Sequence, residues 1–375
     1  MQQFKLHVRN TISRASCWGL ISMMACGATP SFAQKYTATL LKNLPGGHSP
    51  YAVAINNSGQ VTGFAYEPYD AADIADVVVW NGSTPTIIAH NATATDINNL
   101  GFVTGSYFET GAGYGKTFVA SPGFFNDNLY NSSGDIIDGV GGTIIYGTLT
   151  GINDGDKMTG VINFHSSSLA AVWDNPTDTF PSAYLFPPAP YSECDSSADA
   201  INNAGDVVGI FFTCSSYLFH AALWQHDGTV KDLGTLGGST SAANSINALG
   251  YIAGWASLPN NAEHAVIWGP TTRAFDLGTL GGSSSYANSI NAEGDVVGSA
   301  GTSNGDIHAV IWTHKHHQII DLNNEIDPTL AKEITLESAA GTNDKCQIVV
   351  NGTINKNLED VVYLLSLTDQ TNCND

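Results

Sequence analysis

Arginine is almost missing from this sequence: beyond residue 14 the only one is Arg273. Lysine is scarce as well, and from residue 34 onward ten basic residues face 34 acidic ones, a formal charge of −24. A surface of that sign cannot displace counterions from a polyanion, which excludes nucleic acid and disfavours acidic polysaccharides. Neutral glycans, cations and basic proteins remain admissible partners. Long apolar runs are lacking too. The stretch 17–26 is too short to cross a bilayer, and no other segment comes nearer, so no membrane span is expected. There is no Cys-x-x-Cys and no paired His/Cys spacing, which argues against a zinc site. No low-complexity linker divides the chain.

What is present begins with a leader. Lys5, Arg9 and Arg14 precede the short apolar run, and Pro30-Ser31-Phe32-Ala33 offers small residues for cleavage. Residues 1–33 therefore read as a bacterial secretory signal, and 34–375 as a single domain, secreted to the periplasm or beyond. Four cysteines remain after cleavage, an even number suited to an oxidising compartment. Cys194 and Cys214 lie symmetrically about residue 204, in the middle of a tight turn, so antiparallel pairing would bring them together. Cys346 and Cys373 are the expected second pair.

The dominant feature is repetition. Asp232–Trp268 recurs as Asp276–Trp312, with 24 of 37 positions identical. The phrase Ile-Asn-x-x-Gly-x-φ-x-Gly, φ being apolar, starts at Ile55, Ile97, Ile201, Ile246 and Ile290, with variants at Ile152 and Thr342. A second phrase ends on Trp80, Trp173, Trp224, Trp268 and Trp312. Strands this short, separated by Asn-x-x-Gly turns, indicate four strands per unit of about 44 residues, the geometry of a β-propeller. The segment 36–56 matches the last and first strands of a unit, whereas the seventh unit stops after its third strand. The N-terminal strand is thus expected to complete the last sheet and close a ring of seven blades, leaving no open edge. The irregular stretches 125–142 and 186–197 read as long inter-blade loops.

The combination of His-Ala-φ-φ-Trp, Asp-Leu-Gly-Thr-Leu-Gly-Gly-x-Ser and Ile-Asn-x-x-Gly-x-Val-Val-Gly is similar to the HAF-repeat family of bacterial extracellular proteins. Ala222, Val266 and Val310 stand where the family name implies Phe. The resemblance implies secretion and repeat architecture, and it implies no catalytic residue.

Residues that recur in several units are read as structural: His220, His264 and His308, the turn asparagines, and the tryptophans ending the third strand. Function is expected where the repeat breaks down, on the face formed by the B–C and D–A loops. The aromatic candidates for ligand contact there are Tyr66, Tyr69, Tyr107, Tyr114, Tyr191, Tyr217 and His48. Rings stack on sugar faces and carboxylates accept hydroxyl hydrogen bonds. The expected function is a secreted binding module, monomeric, for a neutral glycan or a protein. The alternative is a polysaccharide-degrading enzyme, a glycoside hydrolase before a uronate lyase, with Glu67, Asp70, Glu109, Glu193 and His165 as catalytic candidates. No cofactor is expected. Asp154 and Asp156 resemble a calcium loop only weakly, with too few oxygen ligands in sequence.

Overall fold

The computed structural model describes residues 35–67, 75–108, 115–121, 124–126, 136–137, 143–164, 167–178, 180–214, 218–270, 273–315 and 318–369. The chain forms seven antiparallel sheets, and these make a seven-bladed β-propeller. In the fifth blade strand A is Ser241–Ile246, B is Ile252–Ser257, C is Glu263–Trp268 and D is Ala274–Asp276.

The repeated phrase explains this geometry residue by residue. Asn247 closes the A–B turn, with the Gly250 N–H donating to its carbonyl and the Leu249 and Tyr251 N–H groups donating to its side-chain oxygen. Gly250 sits at φ 78°, a left-handed conformation that costs glycine little. In the two variant units the same position is taken by Asp156 at φ 60° and Cys346 at φ 55°.

The second glycine of the phrase has a different job. A Cβ on Gly254 of strand B would strike the carbonyl oxygen of Ala242 on strand A. That close approach accompanies a bulge, a register shift between Ala243 and Ser245. Gly63, Gly160, Gly209 and Gly298 lie against Tyr51, Thr148, Ser197 and Tyr286 in the same way. The bulge turns one side chain of strand A toward the next blade. Thus Asn244 donates to the Ala287 carbonyl (2.8 Å) and Asn288 to that of Ala339 (2.9 Å).

Apolar clusters lie between neighbouring blades rather than within one. Val208, Ala221 and Leu223 of the fourth blade pack on Ala243, Ile246, Ile252 and Trp268 of the fifth. Alanine recurs at these contacts, allowing sheets to approach closely.

The ring closes as the sequence implies. Tyr36–Leu41 pairs antiparallel with Asp360–Leu367, from Tyr36↔Leu367 to Leu41↔Val362. A second clasp joins the seventh blade to the first: buried Asn351 accepts from the Ala52 N–H (2.8 Å) and donates to the Ala52 carbonyl (2.9 Å). Of the two stretches read as loops, 186–195 carries no strand, and within 125–142 the described residues lie in short strands. Phe124–Asn126 is strand D of the second blade, Ile136–Ile137 adds a fifth strand to the third blade, and Ser196–Ile201 opens the fourth. Their short or polar stretches hide the two-residue period that marks a longer strand.

Cys194 and Cys214 form a disulfide with Cα atoms 5.2 Å apart. Cys346 is also disulfide-bonded, and Cys373, expected opposite it, lies outside the described residues. The Cys194–Cys214 loop spans 20 residues. Replacing both cysteines by serine is expected to cost about 3 kcal/mol by the loop-entropy relation. Denaturant titration of the variant checks this; an unchanged midpoint would show that the bond adds nothing.

Candidate functional site

The propeller axis has two mouths of different chemistry. At the A–B turn mouth a polar cavity of about 260 Å³ is lined by residues of all seven blades. Its wall is a belt of asparagine amides. The side-chain nitrogen of Asn56 donates to the Asn98 carbonyl, Asn98 to Asn153, Asn153 to Asn202, Asn202 to Asn247 and Asn247 to Asn291, at 3.0–3.2 Å. Asn343 then donates to Asn56 across the closure, at 3.0 Å. Each of these six donors uses its oxygen for its own turn and its nitrogen for its neighbour, whereas the buried Asn291 nitrogen finds no partner among the described residues and leaves the belt open between the sixth and seventh blades. Neither Asp nor Ser could do both, which is the reason this residue type recurs.

A second tier follows one residue later in each turn. The Asn57 N–H donates to the Asn99 side chain, Asn99 to Asp154, Asp154 to Asn203, and Asp344 to Asn57. Ala248 and Ala292 occupy this position in the fifth and sixth blades. Burial alone would raise the Asp154 carboxyl, but the amide donors of Asn203 and Asn99 outweigh it and hold the group below its ordinary range. Asp156 accepts from the Asn98 side chain (3.1 Å). Deeper in the wall, burial raises Asp96 to about 6 despite N–H donors from Ile152 and Ile97. Burial also raises Asp199 to about 7.

The opposite mouth, formed by the B–C and D–A loops, is aromatic. In the first blade His48 stacks on Tyr66 with centroids 5.3 Å apart, and Tyr51 stacks on Phe64 at the same distance. Across the fourth to sixth blades the rings of Phe212, Phe219, Trp255 and Tyr286 follow one another at 5.8–6.0 Å. All four are half-buried. The Tyr286 hydroxyl donates to the Glu263 carboxylate, and burial together with that carboxylate raises the phenol to about 12.

The recurring histidines tie strand C to strand D. His220 meets Asp232 (3.0 Å), His264 meets Asp276 (2.9 Å) and His308 meets Asp321 (2.7 Å). The first blade exchanges the partners: Asp76 stands on strand C and pairs with His90 (3.0 Å). Glu67 joins them, its carboxylate lying within 4.8 Å of the ligand atoms of Asp76 and His90. These three groups could hold a divalent cation, although strand bonding already accounts for the Asp76–His90 half.

The other expected site residues are scattered. Tyr191 packs on Phe211 (5.6 Å), and Glu193 is exposed in the linker before the fourth blade, two blades beyond Glu67. Tyr107 lies on the second strand of the second blade. Tyr69, Asp70, Glu109, Tyr114, His165 and Tyr217 lie outside the described residues. Trp255, Tyr286 and Glu263 were not among the expected contacts. Yet each is a point of difference between the two near-identical units, which carry Ser299, Ala242 and Ile307 at the matching places.

No family model and no curated protein matches this chain. Among solved structures it is similar to the β-propeller domain of the Trilobed protease from Pyrococcus furiosus. The TM-score is 0.54 at 12% identity, covering 87% of this chain and 99% of that one. TolB from Acinetobacter baumannii gives a TM-score of 0.45 at 13% identity, covering 82% of this chain and 65% of that one, so the chain spans under two thirds of TolB. The Aleuria aurantia lectin AAL gives 0.38 at 11%, covering 75% of this chain and 96% of the lectin. At these identities the likeness concerns the fold alone. The Pyrococcus domain is described as an open velcro topology; here strand Tyr36–Leu41 joins the ring.

Proposed function

We propose that the protein is a binding module that takes a neutral glycan at the aromatic mouth. The observation that carries this reading is the run Phe219–Trp255–Tyr286 with the Glu263 carboxylate against its last ring. Half-buried rings present flat apolar area at low entropic cost, and a carboxylate beside them accepts sugar hydroxyls. The formal charge of −24 from residue 34 onward is no obstacle to an uncharged polymer. Export through the N-terminal leader is part of the same proposal, and the Cys194–Cys214 bond accords with an oxidising compartment. Among the described residues no helix is long and apolar enough to cross a membrane.

Affinity electrophoresis through gels containing neutral polysaccharides tests the reading. Retardation by at least one polymer is expected. Trp255→Ala should weaken it at least tenfold, the loss of one stacked ring being worth about 1.4 kcal/mol or more. Wild-type mobility in every gel would remove the proposal.

Hydrolysis is the second reading, and one observation favours it: the Glu67 and Asp76 carboxylates lie within 4.8 Å, near the spacing of about 5 Å used by retaining glycosidases. Asp76, however, is only 4% exposed and accepts from His90 and the Asn91 N–H. Shortened polymer chains after incubation, lost in Glu67→Gln, would decide for the enzyme.

A further inference from the structure

On the turn side of the ring, away from the aromatic mouth, a cavity of about 310 Å³ lies between the fifth and sixth blades. Its walls are largely apolar, formed by Tyr251, Ile267, Phe275, Leu277 and Trp312. We propose that this cavity binds a small aromatic carboxylate.

Three observations converge on that ligand class. The first is Arg273, the one arginine beyond residue 14 of a strongly acidic chain. It lines the cavity, it is exposed, and among the described residues it pairs with no carboxylate. The second is the Trp312 indole N–H, which is buried (3% exposed) and has no hydrogen-bond partner among the described residues. Two of its counterparts are satisfied: Trp80 donates to the Lys42 carbonyl and Trp224 to that of Phe186, both at 2.7 Å and both just past strand D of the preceding blade. The equivalent stretch before Trp312 is Asp276–Leu277, and it lines the cavity together with Trp312 itself. Trp268, preceded by the same Asp-Leu-Gly-Thr-Leu-Gly-Gly loop, also lacks a partner. The loop leaves the donor unused at both places, and of the two rings Trp312 is the one that lines this cavity. The third observation is the lining itself: Tyr251 and Phe275 stand beside the indole, and Tyr251 packs edge-on against His314 at 5.8 Å.

A planar ring fits between such side chains, and its carboxylate would complete the guanidinium fork and, after a small shift of the wall, meet the indole donor behind it. The one wall carboxylate, Asp276, is already taken up by His264 (2.9 Å) and by the Gly278 N–H (2.8 Å). A phosphate, with its higher charge, would meet Asp276 and the acidic surface less favourably than a monocarboxylate. The remote field opposes any anion, so affinity for the carboxylate should rise with salt at low ionic strength, the reverse of an ordinary ion pair.

The test is nitrogen-15 NMR of the protein from residue 34 onward, titrated with benzoate, benzyl alcohol and acetate. The Trp312 indole signal, assigned through Trp312→Phe, should shift saturably with benzoate. Benzyl alcohol and acetate should bind at least about tenfold more weakly, and Arg273→Gln should weaken benzoate about tenfold, as loss of a charged hydrogen bond implies. If Trp312→Phe does not fold, Phe275→Ala on the exposed rim marks the signal by ring current and should itself weaken benzoate. Four results would each overturn the proposal: no saturation, equal binding of benzyl alcohol, indifference to Arg273→Gln, or shifts at the Trp255 indole instead. The last would place the ligand at the aromatic mouth.

Discussion

A chain from which residues 35–41 are removed is expected to lose its cooperative unfolding transition at the wild-type temperature. The deleted strand contributes six paired residues to the seventh blade and buries Tyr36 (2% exposed) and Leu41 (1%). Lys35 and Tyr36 also donate their N–H groups to the Glu325 carbonyl, and the Thr368 N–H donates to Lys35. Loss of one large buried side chain costs about 2–5 kcal/mol. Two such losses, with an unpaired edge on Asp360–Leu367, approach the whole stability of about 5–15 kcal/mol that folded domains have. The exposed edge should also promote association. Calorimetry checks the first effect and light scattering the second. A truncated protein melting as the wild type does would mean that the direct contacts between the seventh and first blades, among them those of Asn351, Asn343 and Asp344, hold the ring without the strand. Leu41→Ala, a milder change, should lie between the two.

Asp199→Asn is expected to stabilise the protein near neutral pH and to leave it unchanged in acid. Asp199 occupies the bulge of the fourth blade, at the register position of Asn244 and Asn288. Those two donate to the next blade's carbonyls; an ionised carboxylate cannot. Burial raises Asp199 to about 7 from an ordinary value of 3.8. The folded protein therefore retains a proton that the unfolded chain releases. Stability falls as pH rises from about 4 to about 7 and stays low above that. Asparagine has no proton to lose. Allowing for water in the channel, the variant should gain on the order of 2 kcal/mol at about pH 8, roughly 3 °C in Tm for a domain of this size. Thermal melts at about pH 4 and pH 8 make the comparison. Equal gains at both values would show an ordinary hydrogen bond and no titration, and a loss at the higher value would contradict the argument. Asp96, raised to about 6, stays in both proteins and so cancels from the difference.

The ring, its blade number and its closure were legible because each depends on local chemistry that recurs. Asn247 and Gly250 make a turn wherever they stand, and the seventh unit's missing fourth strand was visible by subtraction. The Cys194–Cys214 pair was legible for the same reason, although the bulge between Ala198 and Ala200 shifts the register on the way. The asparagine belt was half legible. Its turn role follows from residue type, but its donation to Asn98, Asn153 and their successors depends on blade spacing, which no single unit contains. Trp255 and Tyr286 were overlooked for a related reason. Attention to the irregular units passed over two near-identical ones, where a ring in one faces a small residue in the other. Side chains from adjacent blades combine there into a surface that neither unit encodes alone.

The closing seam lies one strand away from the boundary of the sequence repeat. Strand D of the last blade comes from the chain's beginning, while every other unit supplies all four of its own. The seam joins the same two strands however many units stand between them. Duplicating or losing a whole unit would therefore preserve the clasp and alter only the circumference. How closely two strands or two blades approach is a separate matter, carried by the glycines at Gly63, Gly209, Gly254 and Gly298 and by small residues such as Ala221 and Ala243 between blades. Tandem duplication of a unit could therefore lengthen such a gene and leave Tyr36–Leu41 untouched.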